Sequence, residues 1–169
     1  MADNFDKTRE SEKAAAQENT ARQFLTFTVG SEEYGVDIMT VREIKGWTET
    51  TRLPNAPEFM RGVMNLRGLI IPIFDLRTRL NQGATEATPK HVVIILAVGE
   101  RNIGILVDAV SDILDVMSDA IKPAPTSDGK TEAAFIGGLI SLESRMVVLL
   151  DVDHLFDTRQ IDTVLTQAA

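Results

Sequence analysis

The residue types able to carry chemistry are few in this 169-residue chain, and their spacing builds no active site. Cysteine is absent, which removes disulfides, thiolate zinc sites and a cysteine nucleophile together. The densest set of potential metal ligands is Asp151-Val152-Asp153-His154, with Asp157 beyond it. At a helix start Asp151 and His154 share a face at i, i+3 spacing, as a small metal-dependent enzyme would need. The simpler reading is that Asp151 caps the helix while its neighbours are solvated. His91, the other histidine, precedes a buried run far in sequence from any paired acid and reads as a strand-edge residue. Residues 135–139, FIGGL, lack the lysine and the spacing of a phosphate-binding loop. Ser111, Ser118, Ser141 and Ser144 lie in no nucleophile elbow. No catalytic residue, metal or cofactor is expected.

The charged residues that stand out are Arg67 and Glu43. Arg67 lies between two apolar runs, in Asn65-Leu66-Arg67-Gly68, where a tight connection of two antiparallel strands is expected and Gly68 is free to take a positive φ. A cation so placed snorkels to water, pairs with a carboxylate, or sits at a contact surface. An exposed cation at an interface and a structural ion pair with Glu43 are both open, and the two can coexist.

The rest of the composition points the same way. A net charge of −8 argues against nucleic acid as the main partner, and aromatics at 5% leave few stacking platforms. Protein partners fit better. The chain is long enough for one domain, or for two small ones sharing a core. No apolar run approaches the ~20 residues needed to cross a bilayer, and the amino terminus has no apolar signal core. A cytoplasmic location is expected.

Several elements must position these residues. Residues 1–21 are polar and charged and read as a mobile tail. Residues 24–29 alternate, turn through Gly30-Ser31-Glu32-Glu33 and return through Tyr34-Gly35-Val36, a hairpin signature. After a helical turn at 37–40, Val41-Arg42-Glu43-Ile44 is expected to extend that sheet. Residues 48–55 form a connection. Two strands flank Arg67, and Asp75 caps a short helix. Residues 81–90 form a polar loop. The near-continuous apolar run at 91–98 implies burial on both faces. Strands follow at 102–107 and 110–116, then an exposed loop at 122–131, strands at 135–142 and 146–150, and a last helix near Asp151 or Asp153. The pattern weakens beyond Phe156, leaving 158–169 as a tail or helix end.

Two stretches repeat in the same order. Residues 35–44 align with 104–113, placing Gly35 on Gly104, Val41 on Val110, Glu43 on Asp112 and Ile44 on Ile113. Residues 62–76 align with 138–152, each strand-turn-strand ending in an aspartate. Such a duplication predicts a mainly β fold. Two small five-stranded SH3-like barrels pack on a shared core, with short helices and a C-terminal helix, and the boundary falls near 81–90. Arg67 falls on Glu143, so the shared fold does not require it. Val36, Ile38, Val41, Ile44, Val110 and Ile113 occupy equivalent segments. Each reads as core by itself. Together they can line a cleft between the barrels that suits a partner's helix.

At this level of detail residues 22–157 resemble the CheW family of chemotaxis coupling proteins. The resemblance rests on Gln23-Phe24-Leu25-Thr26-Phe27, Glu33-Tyr34-Gly35-Val36-Asp37-Ile38, Val41-Arg42-Glu43-Ile44, residues 59–68 (FMRGVMNLRG), residues 71–77 (IPIFDLR) and residues 104–113 (GILVDAVSDI). It implies a non-catalytic adaptor, monomeric when free, that binds the hairpin tip of chemoreceptors and the regulatory domain of the histidine kinase CheA. It also implies recruitment to membrane-associated receptor arrays, with no insertion into the membrane. Carried over position by position, Val41, Glu43, Gly62 and Arg67 match positions tied to partner binding or its support. Val110 and Ile113 match the groove proposed for the receptor. Lys122 opens the loop implicated in ring contacts, where some relatives carry an aromatic residue and this chain has Thr126-Ser127-Asp128.

Overall fold

The alternating segments become strands, and the turns between them decide which strands meet. The computed structural model describes residues 19–124 and 135–168. The tail expected at 1–18 and most of the loop after Lys122 lie outside the described residues. β1 (Ala21–Val29) and β2 (Glu32–Asp37) form the expected hairpin, with Val29 opposite Glu32 and Gly30 at φ 62. Asp37 caps a 3-10 turn over Ile38–Thr40 by accepting the Met39 N–H at 2.9 Å.

Next comes β3 (Val41–Gly46), which corrects one expectation. It does not extend the β1–β2 sheet, because the place beside β1 is taken by β8 (Ala109–Met117). β3 crosses instead to pair with β6 (Val92–Val98). β4 (Met60–Leu66) and β5 (Leu69–Asp75) form the hairpin around Arg67, and β5 runs parallel to β7 (Arg101–Val107), the partner of β6. This sheet has the order β3-β6-β7-β5-β4. The other contains β9 (Ile121–Lys122), β10 (Ile136–Ser141) and β11 (Met146–Leu150), in the order β8-β1-β2-β11-β10-β9. It has six strands instead of five because Ile121–Lys122 adds a short edge along Leu139 and Ile140. Each sheet draws strands from both sides of the 81–90 loop.

The two halves correspond down to their irregularities. Arg42 bulges between Val41 and Glu43 against β6, and the aligned Ser111 bulges between Val110 and Asp112 against β1. Arg61 and Gly137 are the bulged residues of the two later hairpins. The Asp75 N–H donates to the Phe59 carbonyl at 2.7 Å, as the Asp151 N–H donates to that of Phe135 at 2.7 Å. Each aspartate then caps a one-turn helix, α1 (Leu76–Arg79) or α2 (Val152–Leu155).

Both faces of each sheet are apolar, which explains the continuous run in β6. Ile94, Leu96 and Val98 join Leu25, Phe27, Val36, Ile105 and Phe74 in a core shared by the two sheets. Val93 and Ile95 turn the other way, to a private core with Ile71, Ile73 and Leu106. The second sheet has its own private core of Phe24, Ile140, Val147 and Leu149. Gly104 and Gly35 make these private cores possible. A Cβ on Gly104 would lie 2.5 Å from Ile73 Cδ1, and one on Gly35 would lie 3.0 Å from Leu149 Cδ2. The chain ends in α3 (Thr158–Ala168), an 11-residue helix that lays Ile161 and Leu165 on the shared core. Only that one narrow stripe marks it in the sequence.

Candidate protein-interaction site

The β4–β5 turn consists of Arg67 and Gly68, with φ values of 53 and 86. Two successive positive φ values define the type I′ turn, whose twist matches that of the strands and which favours Asn or Gly at its first position. Arginine there costs about 1–2 kcal/mol of backbone energy. The Asn65 side-chain oxygen accepts the Gly68 N–H at 2.8 Å and steadies the turn. The Arg67 side chain is 76% exposed and reaches Glu43 Oε1 at 3.1 Å, with Glu43 27% exposed. The Arg67 side chain is thus both exposed and ion-paired. Glu43 lies on the edge strand β3, so the sheet curves enough to bring that edge to the β4–β5 turn.

An ion pair this exposed contributes roughly 0–1 kcal/mol. It does not offset the strained turn by a wide margin, and backbone strain of this kind concentrates at functional positions. Leu69 and Ile70 follow the turn with more than half their surface exposed. Sequence reasoning missed them, since they are continuous with the buried residues Ile71 and Ile73. Only the β5–β7 register, whose first pair is Ile73 with Gly104, shows that they overhang.

The other candidate residues fall into different environments. Val36 is buried in the shared core and has no surface to offer a partner, which corrects its assignment as a contact. Ile38, Val41 and Val110, from both halves, are partly buried and pack against the same shared core. Ile113 is 50% exposed on β8 and its counterpart Ile44 is 47% exposed on β3, so the two lie on edges of different sheets. Gly62 acts through its backbone, with φ 139 and a position where a Cβ would clash with the Thr51 carbonyl oxygen. This close approach permits the two Thr51–Val63 hydrogen bonds of 2.8 and 2.9 Å. Lys122 is exposed on the edge strand β9, its ammonium donating to the Asp119 carbonyl at 3.2 Å.

The groups first considered for chemistry are engaged elsewhere. Asp151 accepts the Asp153 N–H and lies 2.7 Å from His154 Nδ1. His91 Nδ1 accepts the Thr88 N–H at 3.0 Å, while its Nε2 faces Asp108 at 3.5 Å. Asp108 is itself held by Arg77 at 2.9 Å and by the Gly30 N–H at 2.7 Å. Among the described residues, no group of three or more His, Cys, Asp or Glu side chains is placed to hold a metal. No described helix is long and apolar enough to cross a membrane.

Two curved sheets back to back, with exposed apolar residues around a strained, ion-paired arginine, define a protein-binding module. The sequence profile described as CheW-like domain matches residues 23–160. The chain is 42% identical over 149 residues to the chemotaxis protein CheW of Klebsiella aerogenes, covering 88% of this chain and 90% of that one. It is 44% identical over 142 residues to chemotaxis protein CheW of Rhizobium meliloti, covering 84% and 92%. The crystal structure of the scaffolding protein TtCheW from Thermoanaerobacter tengcongensis superposes with a TM-score of 0.73 at 30% identity, covering 82% of this chain and 89% of that one. The chain belongs to the CheW family, chemotaxis adaptors that link receptors to the kinase CheA and catalyse no reaction.

Proposed function

We propose that this adaptor binds the cytoplasmic hairpin tip of chemoreceptors and the regulatory domain of CheA, and that Arg67 is the centre of one of these contacts. The two curved sheets, one of five strands and one of five with the short β9 added at its edge, close as small SH3-like barrels within a domain spanning 22–157, and the protein works in the cytoplasm on membrane-associated receptor arrays. Ile38, Val41, Val110 and Ile113 form the apolar part of the binding groove, Val36 and Gly62 support it, Glu43 holds Arg67, and Lys122 lies at a ring contact. The observation that carries this reading is Arg67 itself, an exposed cation in a left-handed conformation. Its side chain contributes little to stability, so binding is the physical reason for a cation there. Such an adaptor transmits a signal when its contacts differ in free energy between kinase-on and kinase-off states.

Co-sedimentation of the purified protein with receptor cytoplasmic fragments and the CheA regulatory domain, in the presence of a chelator and without nucleotide, tests this. A ternary complex is expected, and Arg67→Ala weakens it by about tenfold, or ~1.4 kcal/mol. Absence of binding to both partners overturns it.

A further inference from the structure

Four described arginines are partly buried: Arg61, Arg77, Arg79 and Arg101. Three of them have an aspartate, since Arg61 faces Asp75, Arg77 faces Asp108 and Arg101 faces Asp162. Arg79 has no carboxylate partner among the described residues. Its guanidinium lies 5.6 Å from the ring centroid of Phe59 and 5.6 Å from that of Phe135, the equivalent phenylalanines of the two halves. Its Nε donates to the Leu155 carbonyl at 2.8 Å. The aromatic faces and this one hydrogen bond fix the group in place. Among the described residues they leave the guanidinium without an ion pair and its terminal nitrogens without an acceptor.

Beside it opens a cavity of about 370 Å³ whose apolar wall is Phe59, Leu155 and Phe156. We propose that this cavity is a binding site for a carboxylate carried on an apolar body, with Arg79 as the anion clamp. An immobilised guanidinium presents two parallel N–H bonds that match the two oxygens of a carboxylate, a geometry a lysine does not offer. The apolar wall takes the carbon body of the ligand. Asp153 and Asp157 line the same cavity. Arg159 and His154 line it as well, and with two guanidiniums against two carboxylates the lining has no large cationic surplus to hold the several charges of a polyphosphate, so the site selects a monocarboxylate. The ligand is a free organic acid or an acidic side chain flanked by apolar residues on a partner protein. The site is independent of Arg67 and of the partner assignment above.

Titration of the ¹⁵N-labelled protein with phenylacetate tests the proposal, followed through the Arg79 Nε–H and the Leu155 amide. Both resonances shift and saturate with a dissociation constant on the order of 1 mM. The neutral isostere phenylacetamide, which keeps the ring and loses the charge, leaves them unmoved, and so does ATP. This control needs no mutation and holds even where an Arg79 variant folds poorly. Arg79→Lys, if its spectrum is native, binds phenylacetate at least about tenfold more weakly. Adding phenylacetate to the receptor or kinase-domain complex identifies the source. Displacement means a partner's acidic side chain fills the cavity, and an unchanged complex means a free acid does. Equal binding of acid and amide, or no shift up to about 20 mM phenylacetate, overturns the site.

Discussion

The two hairpins β4–β5 and β10–β11 are copies of one design that differ at the turn and at the capping aspartate. Both bulge one residue before a glycine of positive φ, Gly62 or Gly138, and both end in an aspartate that caps a one-turn helix. The first hairpin turns through Arg67-Gly68 with two positive φ values. The second turns through Glu143-Ser144, neither of which has a positive φ. At the far end, Asp75 is 1% exposed and accepts hydrogen bonds from the Thr85 N–H at 2.7 Å and the Thr85 hydroxyl at 2.6 Å. Asp151 is 37% exposed and, among the described residues, its side chain bonds a histidine and its own helix start. The features shared by the copies build the fold. The first copy anchors the inter-half loop through a buried carboxylate and strains its turn to display a cation, so function is best sought where the copies diverge.

The largest effect expected from breaking this correspondence is at the bulge glycines. Gly62→Ala places a Cβ against backbone at Thr51 and loses about 3–4 kcal/mol. Gly138→Ala meets the Ile121 Cγ2 methyl at 2.6 Å and the Lys122 carbonyl only at 3.2 Å, on the short edge strand β9, and loses less. Urea denaturation of both variants measures the gap, and equal losses would mean that the second half is held as rigidly as the first.

The capping aspartates come next. Asp75→Ala strands the Thr85 hydroxyl and leaves the Arg61 guanidinium without its carboxylate, holding the Thr85 carbonyl, at about 3 kcal/mol. Asp151→Ala removes a cap in a wetter setting, at about 1 kcal/mol. Thermal melts of the pair check the order, and amide exchange at residues 81–90 rises only in the Asp75 variant.

The turn itself gives a smaller change in stability. Arg67→Gly relieves the left-handed strain while removing the cation, so stability changes by less than about 1 kcal/mol as partner affinity falls. Glu43→Ala weakens partner binding as well. A double-mutant cycle with Arg67→Ala reads their coupling, and strictly additive losses would show that the two residues act separately.

The smallest effect is a pH dependence. Tyr34 occupies the place that Ile103 takes in the second half. Burial raises its pKa above 10, against the opposing hydrogen bond from Gln82 and with a further push from Glu32. The native state therefore holds this proton more tightly than the unfolded chain. The stability it contributes is complete below the unfolded pKa and is lost as the pH rises through the raised one. Tyr34→Phe flattens the fall in stability above about pH 10, as measured by denaturation across that range.

Much of this was legible in the sequence because the signals are local. Strand alternation, the Asn65-Leu66-Arg67-Gly68 turn, the paired glycines and the capping aspartates each follow from the conformational preferences of a few neighbouring residues. The same preferences repeat in both halves, which made the duplication readable. The Glu43–Arg67 pair was foreseeable as a choice among partners for a cation in an apolar setting.

What only the tertiary structure decided depends on contacts far apart in the chain. β3 leaves its neighbours because β8 already occupies the edge of β1. Leu69 and Ile70 are exposed because β5 overhangs β7, whereas the similar Ile71 and Ile73 are buried. Val36 is enclosed because two sheets meet over it. α3 is a docked helix because two residues of a short stripe find the shared core. Burial is a property of what covers a side chain, and for these residues the cover comes from the other half of the molecule.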